Sequence, residues 1–262
     1  STRLTSAAPL DSLVADAAAA LKGVAGAVAV VGSGRSSVEE QFLTKKLAEA
    51  LQASTSLVAR TGDGDRILIS ADRNPNTRGA LVTGLIQDVP SARLTGLADA
   101  IERGTVKAIV SVGEDLLAAG LTAAQLAKVA VIYLGSQANA TSAAAKVVLP
   151  TQTLFEKAGT LVNQQFRLQK FVRAVPGLAG THDDLLVLSR LIAAVGGSPV
   201  ASELHTLWAA LAVEVPALAT TTYRTLPETG LLLDATPWAS LRFPEGETLH
   251  YKPAAAGEVA KV

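Results

Sequence analysis

Apolar residues recur along this chain at two spacings, and the switch between them divides most of it into helices and strands. From Pro9 to Leu21, Leu10, Leu13, Val14, Ala17 and Leu21 fall at helical spacing, and Gly23 and Gly26 end the run. Ala27 to Val31 is short, apolar and uninterrupted, a strand that runs into Gly32-Ser33-Gly34-Arg35. Ser36 and Ser37 each stand three residues before an acid, Glu39 and Glu40, so either pair can close a capping box. The helix that follows runs to about Leu51 and turns Val38, Phe42, Leu43, Leu47 and Leu51 toward a core.

Ser56 to Val58 reads as a second strand, Thr61-Gly62-Asp63-Gly64-Asp65 as a turn, and Arg66 to Ile69 as a brief strand. Asp72 to Gly79 is polar and holds Pro75 and Gly79, so an irregular loop is expected. A helix is expected over Ser91–Glu102, and strands over Val106–Val112 and Val129–Leu134. Between those strands, Thr122 with Gln125 caps a short helix. An Ala-rich loop and small helix lead to a last strand, Val147–Leu149, stopped by Pro150. Strands rich in Val and Ile without alternation are what a sheet covered on both faces requires. The fold class is therefore α/β, a doubly wound, mainly parallel sheet with helices on both faces over roughly residues 20–150. Beyond Pro150 the rhythm fails. Thr151 to Val172 mixes strand and loop, and His182–Val195 and Ala201–Val213 read as helices. From Pro216 the chain turns rich in Pro, Thr and Gly, which predicts a wrapped, extended tail without a second core. The organisation expected is an α/β domain over residues 1–195 and a helical and extended C-terminal region over 196–262.

Composition narrows the function classes. Of 262 residues, 49% are hydrophobic and 18% charged, too apolar for a disordered chain. No stretch reaches the roughly 18 apolar residues of a membrane helix, so no direct membrane span is expected. Basic and acidic residues balance at 23 each with no basic block, which argues against nucleic acid as a partner. The absence of cysteine excludes disulfides, thiolate nucleophiles and cysteine-ligated iron–sulfur clusters from this chain. His182, His205 and His250 lack the spacing of metal ligands, so no metal site is expected. A chain that begins at Ser1 and contains no Met is expected to be an excised piece of a longer protein.

Four stretches are candidates for chemistry. Gly32-Ser33-Gly34, between a strand and a helix, reads either as a structural turn or as a cradle of amides for a phosphate. Ser37 stands where the dinucleotide fingerprint has its third glycine. Gly113-Glu114-Asp115 closes a strand at the end where open α/β sheets hold ligands. Its carboxylates suit either a ribose or guanine edge or plain helix capping. The Asp72–Gly79 loop offers amides with Arg73 and Arg78, for a ligand or for solvent. Glu156, Asn163, Arg167 and Gln169 are interleaved with Leu161, Val162, Phe166 and Phe171, as in a buried polar network or a ligand clamp.

Together these stretches resemble the molybdopterin oxidoreductase superfamily. The similarity is carried by Gly32-Ser33-Gly34-Arg35 with Glu39-Glu40, by Asn76 to Gly79, and by Val106-Lys107-Ala108 leading to Gly113-Glu114-Asp115. It is carried above all by Val147-Val148-Leu149-Pro150 with Glu156, Gly159-Thr160, Asn163 and Arg167-Leu168-Gln169. Within the superfamily the chain looks most like the C-terminal region of the large iron–sulfur subunit of NADH-quinone oxidoreductase, respiratory complex I. That resemblance implies a scaffolding and docking role with no catalytic residue in this chain. Iron–sulfur clusters would sit in N-terminal domains of the parent chain, and other subunits or domains of a multisubunit oxidoreductase would be the partners. The implied location is cytoplasmic and peripheral to the membrane. It also implies a possible cofactor-facing set, vestigial or working: Gly32, Gly34, Arg35, Asn76, Gly79, Gly113, Glu114, Asp115, Glu156, Gly159, Thr160 and Asn163. Two alternatives stand beside it. One is the molybdopterin-guanine-dinucleotide-binding part of a molybdenum enzyme such as a formate dehydrogenase. The other is a free-standing nucleotide-binding domain using Gly32–Gly34 and Glu114. The chain departs from many relatives at Gln165-Phe166, where they carry Glu-Gly. Glycine permits a positive φ and close backbone approach, and Phe does neither easily.

Overall fold

Five strands form one parallel sheet in the order β2-β1-β3-β4-β5. They are β1 (Val28–Ser33), β2 (Ser54–Val58), β3 (Ala108–Val112), β4 (Ala130–Gly135) and β5 (Val147–Pro150). The computed structural model describes residues 2–65, 69–91 and 93–244. Arg66 to Leu68, most of one expected brief strand, lie outside them.

The expected α/β architecture is present, and the strand pattern explains it. Val28 and Val30 join one apolar cluster while Ala29 and Val31 join another on the opposite face. A strand that is apolar at every position can do this because successive side chains point to opposite faces. The first face is covered by α1 (Leu10–Lys22), α2 (Val38–Leu51), α7 (Asp184–Ala194) and α8 (Leu204–Glu214). The second is covered by α4 (Thr95–Glu102) and the segment before α5 (Ala123–Leu126). A short α6 (Ala140–Ala144) links β4 to β5.

Helix α2 starts where one of the two candidate capping boxes closes. Ser37 Oγ accepts from the Glu40 amide at 3.2 Å, and the Glu40 carboxylate accepts from the Ser37 amide at 3.0 Å. Two expectations need correction. The polar stretch Asp72–Gly79 is not irregular throughout, because α3 (Thr77–Val82) begins inside it. The fourth helix starts at Thr95 and not at Ser91. The run Thr151–Val172 mixes strand and loop as expected, its strands forming a hairpin, β6 (Gly159–Val162) against β7 (Arg167–Phe171).

A two-residue strand, β8 (Leu231–Leu232), pairs with β7 and completes a three-stranded antiparallel sheet. Between Pro216 and Pro244, the last described residue, the chain holds no long helix, and the rest of the expected extended tail lies outside the described residues. The described part carries 3₁₀ turns at Pro216–Leu218 and Thr236–Trp238. Leu218, Tyr223, Leu226 and Leu233 enter the same cluster as α7 and α8.

Candidate functional site

The order β2-β1-β3 puts the topological switch point of the sheet between β1 and β3, where open α/β sheets form a ligand crevice. Glu114 lies there, with no exposed surface. Its carboxylate accepts from Arg60 Nη1 at 3.0 Å, from Arg60 Nη2 at 2.5 Å, and from the Ser33 hydroxyl. Arg35 Nε stands 3.5 Å away, and Arg35 Nη2 donates to the Gly113 carbonyl at 3.2 Å. Gly113 holds a φ of 75°, a left-handed turn at the strand end that suits glycine. The Ser111 hydroxyl then fixes the Glu114 carbonyl at 2.8 Å. Hydrogen bonding to Glu114 holds the Arg60 proton more tightly than usual, against the opposing effect of burial. Asp115 points elsewhere, accepting from Thr141 Oγ1 at 2.9 Å and from the Leu117 amide at 3.1 Å.

The amides of the glycine turn are already engaged. Gly34 N–H donates to the Val58 carbonyl at 3.2 Å, Arg35 N–H to Ser33 Oγ at 3.0 Å, and Ser36 N–H to the Ser33 carbonyl at 3.2 Å. The glycines make room for neighbouring side chains. A Cβ at Gly32 would come within 2.9 Å of Leu85, and one at Gly34 within 2.8 Å of Asn74.

A second group gathers around the start of α2. Asn76 is fully buried and ties three segments together. Its amide nitrogen donates to the Ser36 carbonyl at 2.7 Å and to Gln41 Oε1 at 3.0 Å, and its Oδ1 accepts from the Val162 amide at 2.6 Å. Gly79 sits in α3 because a Cβ there would collide with that Asn76 side chain. Glu39 is buried without a cationic partner among the described residues. It accepts from Thr160 N–H and Oγ1, both at 3.0 Å, and from Trp208 Nε1 at 2.8 Å. Burial raises its carboxyl above the usual range, against the pull of those hydrogen bonds. Gly159 lets the hairpin lie close on Glu39 and Ser37, where a Cβ would stand 3.0 Å from each. Asn163 shapes the hairpin tip, its Oδ1 accepting from the Gln165 and Arg167 amides at 2.9 and 3.0 Å.

Phe166 closes this tip with a φ of 58°, the conformation that glycine favours. The expectation that Phe would not reach it easily meets a specific compensation. The ring stacks on Trp238 at 5.1 Å and meets Phe243 edge-on at 6.1 Å. Arg78, itself buried and paired with Asp72 at 2.9 Å, lies 3.7 Å over the Phe243 ring. Burial pulls the Arg78 guanidinium down to about 10 despite the carboxylate beside it.

Glu156 stands apart from both groups. It accepts from Arg3 Nη1 and Nη2 at 3.2 and 2.9 Å, from Thr153 N–H at 2.7 Å and from Leu178 N–H at 3.1 Å. Burial opposes its charge, but Arg3 and Thr153 outweigh burial and hold the carboxyl at about 2. Its neighbour Lys157 bridges Glu40 and Asp184, the latter at 2.8 Å. Burial opposes the charge on Lys157, and the two carboxylates still keep it firmly protonated. Burial pushes Asp184 upward.

Eleven of the twelve candidates thus fall into three places, the sheet crevice, the α2–hairpin junction and the Arg3 clip, while Asp115 turns away to Thr141 and Leu117. Residues 52–194 match the family model for molybdopterin oxidoreductase. The chain belongs to the molybdopterin oxidoreductase family. No curated protein matches it. Domains of this family usually function within larger oxidoreductase assemblies. Among the described residues no helix is long and apolar enough to cross a membrane, and no cluster of His, Asp or Glu could hold a metal ion.

Sequence reading missed Arg60, Asn74 and the tail aromatics Trp238 and Phe243. Arg60 had one available signal. It stands two residues past the end of β2, a strand next to the switch point. Trp238 and Phe243 had none, because nothing local relates them to Phe166.

Proposed function

We propose that this oxidoreductase-family chain is part of the large iron–sulfur subunit of an NADH-quinone oxidoreductase, and that it serves there as a scaffold. In this reading residues 1–195 are the family domain and 196–262 a C-terminal helix and strap. Electrons pass through clusters held by N-terminal domains of the parent protein, and the parent assembly sits on the cytoplasmic face of the membrane. The run from Val147 to Gln169 supports the assignment within the family.

The observation that carries the scaffolding role is the Glu114 clamp. A guanine dinucleotide needs amides or cations at the crevice for its phosphates. Here the turn amides have acceptors, and Arg60 and Arg35 serve a carboxylate of the chain itself. On this reading the residues present do not fit a pterin guanine dinucleotide. Phe166 and its partners Trp238 and Phe243 fill the hairpin tip in the same way, with side chains of the protein.

Metal and nucleotide analysis of the purified parent assembly tests the proposal. Iron with acid-labile sulfide, quinone reduction by NADH, and neither molybdenum nor guanine nucleotide are expected. Molybdenum and guanine nucleotide in stoichiometric amounts would favour the molybdenum-enzyme alternative. A parent gene without cluster-ligating cysteines upstream of Ser1 would also overturn the reading.

A further inference from the structure

Strand β2 ends the parallel sheet, so only one of its edges is paired. The Gly34 amide donates to the Val58 carbonyl at 3.2 Å, with Ser33 opposite Val58 in the β1–β2 register. Alternate residues of a parallel strand bond the same neighbour, so Ser54, Ser56 and Val58 face β1. The N–H and C=O groups of Thr55 and Leu57 therefore face away from the sheet. Among the described residues no hydrogen bond reaches them there. Beside this edge lies a groove of about 560 Å³, walled by β2 and by residues 86–97. Leu57, Ile86, Leu94 and Leu97 line it together with Thr55. Free main-chain donors and acceptors beside an apolar groove are what an added strand recognises.

The described chain ends next to that groove. Leu241 and Phe243 pack on the cluster that holds Leu57 and Ile86, both of which line it. After Pro244 the sequence continues through Gly246 to Glu247-Thr248-Leu249-His250-Tyr251-Lys252 and then Pro253. Leu249 and Tyr251 fall at the two-residue spacing of a strand face, and Gly246 and Pro253 punctuate the ends of the run. The run is long enough to span β2, which has five residues. We infer that residues 247–252 add to the free edge of β2 as a sixth strand, bonded to the backbone of Thr55 and Leu57. The inference stands apart from the scaffolding role and gives the extended tail expected from the sequence a seat. Tethering beside the groove gives the tail a local concentration on the order of millimolar, which a second copy or a separate protein would have to exceed.

Amide hydrogen exchange in the purified chain, followed residue by residue by NMR, tests this. The Thr55 amide is the reporter, because Thr55 is exposed. The Ser56 amide faces β1 and reports on the intact sheet. Successive residues of a strand bond opposite edges, so Thr248→Pro combined with Leu249→Pro removes a donor facing β2 in either register. That double variant is expected to speed Thr55 exchange at least tenfold and to leave Ser56 unchanged. Thr248→Val combined with Leu249→Ile keeps strand-forming residues and should keep the slow Thr55 rate. Equal Thr55 rates in the unaltered chain and the double proline variant would overturn the inference. Slowing that grows with protein concentration would assign the edge to a second copy, and slowing found only in the assembled parent would assign it to another protein. Either result would overturn it as well.

Discussion

Phe166 and Gly113 both hold left-handed backbone, by opposite routes. Gly113 has no Cβ to object, whereas Phe166 accepts a strain of about 1–2 kcal/mol and recovers it by burying a ring on Trp238. The family resemblance leads one to expect glycine at position 166, but the compensation for Phe comes from a residue 72 positions away and leaves no local trace. Ordinarily Ala is better tolerated than Gly. Here the order should invert. Phe166→Ala loses the ring and keeps the strain, costing about 3–5 kcal/mol, and Phe166→Gly should cost about 1 kcal/mol less. Urea melts of the two variants decide it, and an Ala variant more stable than the Gly variant would contradict the strain argument. Glu39 gives a second test. All its observed partners are donors, so Glu39→Gln turns an amide N–H toward a donor and should cost about 1–3 kcal/mol by the same assay.

Elements were legible where their signals are local. The start of α2 is written in Ser37 and Glu40, and the apolar strands are written in runs that feed two clusters at once. The start of α3 was hidden because Pro75 and Gly79 read as breakers, when Gly79 is there to admit the Asn76 side chain. Two residues of β8 are too few for any periodicity. The N-terminal arm is also a contact at a distance, clipped by Arg3 to Glu156. The Glu156 carboxyl lies at about 2 in the fold against an ordinary 4.5, so the native state favours its ionised form. Its stabilisation is full above about pH 4.5 and drains away as pH falls toward 2. Glu156→Gln should therefore lower the melting temperature at pH 7, and the gap to the unaltered protein should close by about pH 2. Thermal melts across that range check it, and a constant gap would remove the clip as its cause.

At the scale of the whole molecule, the sheet brings β1, β2 and β3 together so that Ser33, Arg60 and Glu114 meet at one strand end. Topology of this kind was legible from the strand–helix rhythm. The closing of the crevice was not, because Glu114 reads equally well as a ligand acceptor and as an ion-pair partner until Arg60 is placed. Removing the carboxylate with Glu114→Ala should cost about 1–3 kcal/mol. That is less than a wholly buried pair, since the Arg35 and Arg60 side chains are 53% and 40% exposed and regain water. The variant should also gain what the unaltered chain lacks, two guanidinium groups at the crevice freed of their carboxylate partner, Arg35 keeping its bond to the Gly113 carbonyl. Calorimetric titration of the purified chain with guanosine diphosphate, beside the Glu114→Ala variant, tests the sealed crevice most directly. The account predicts flat heats for the unaltered chain and saturable binding by the variant. One-to-one binding by the unaltered chain would contradict it.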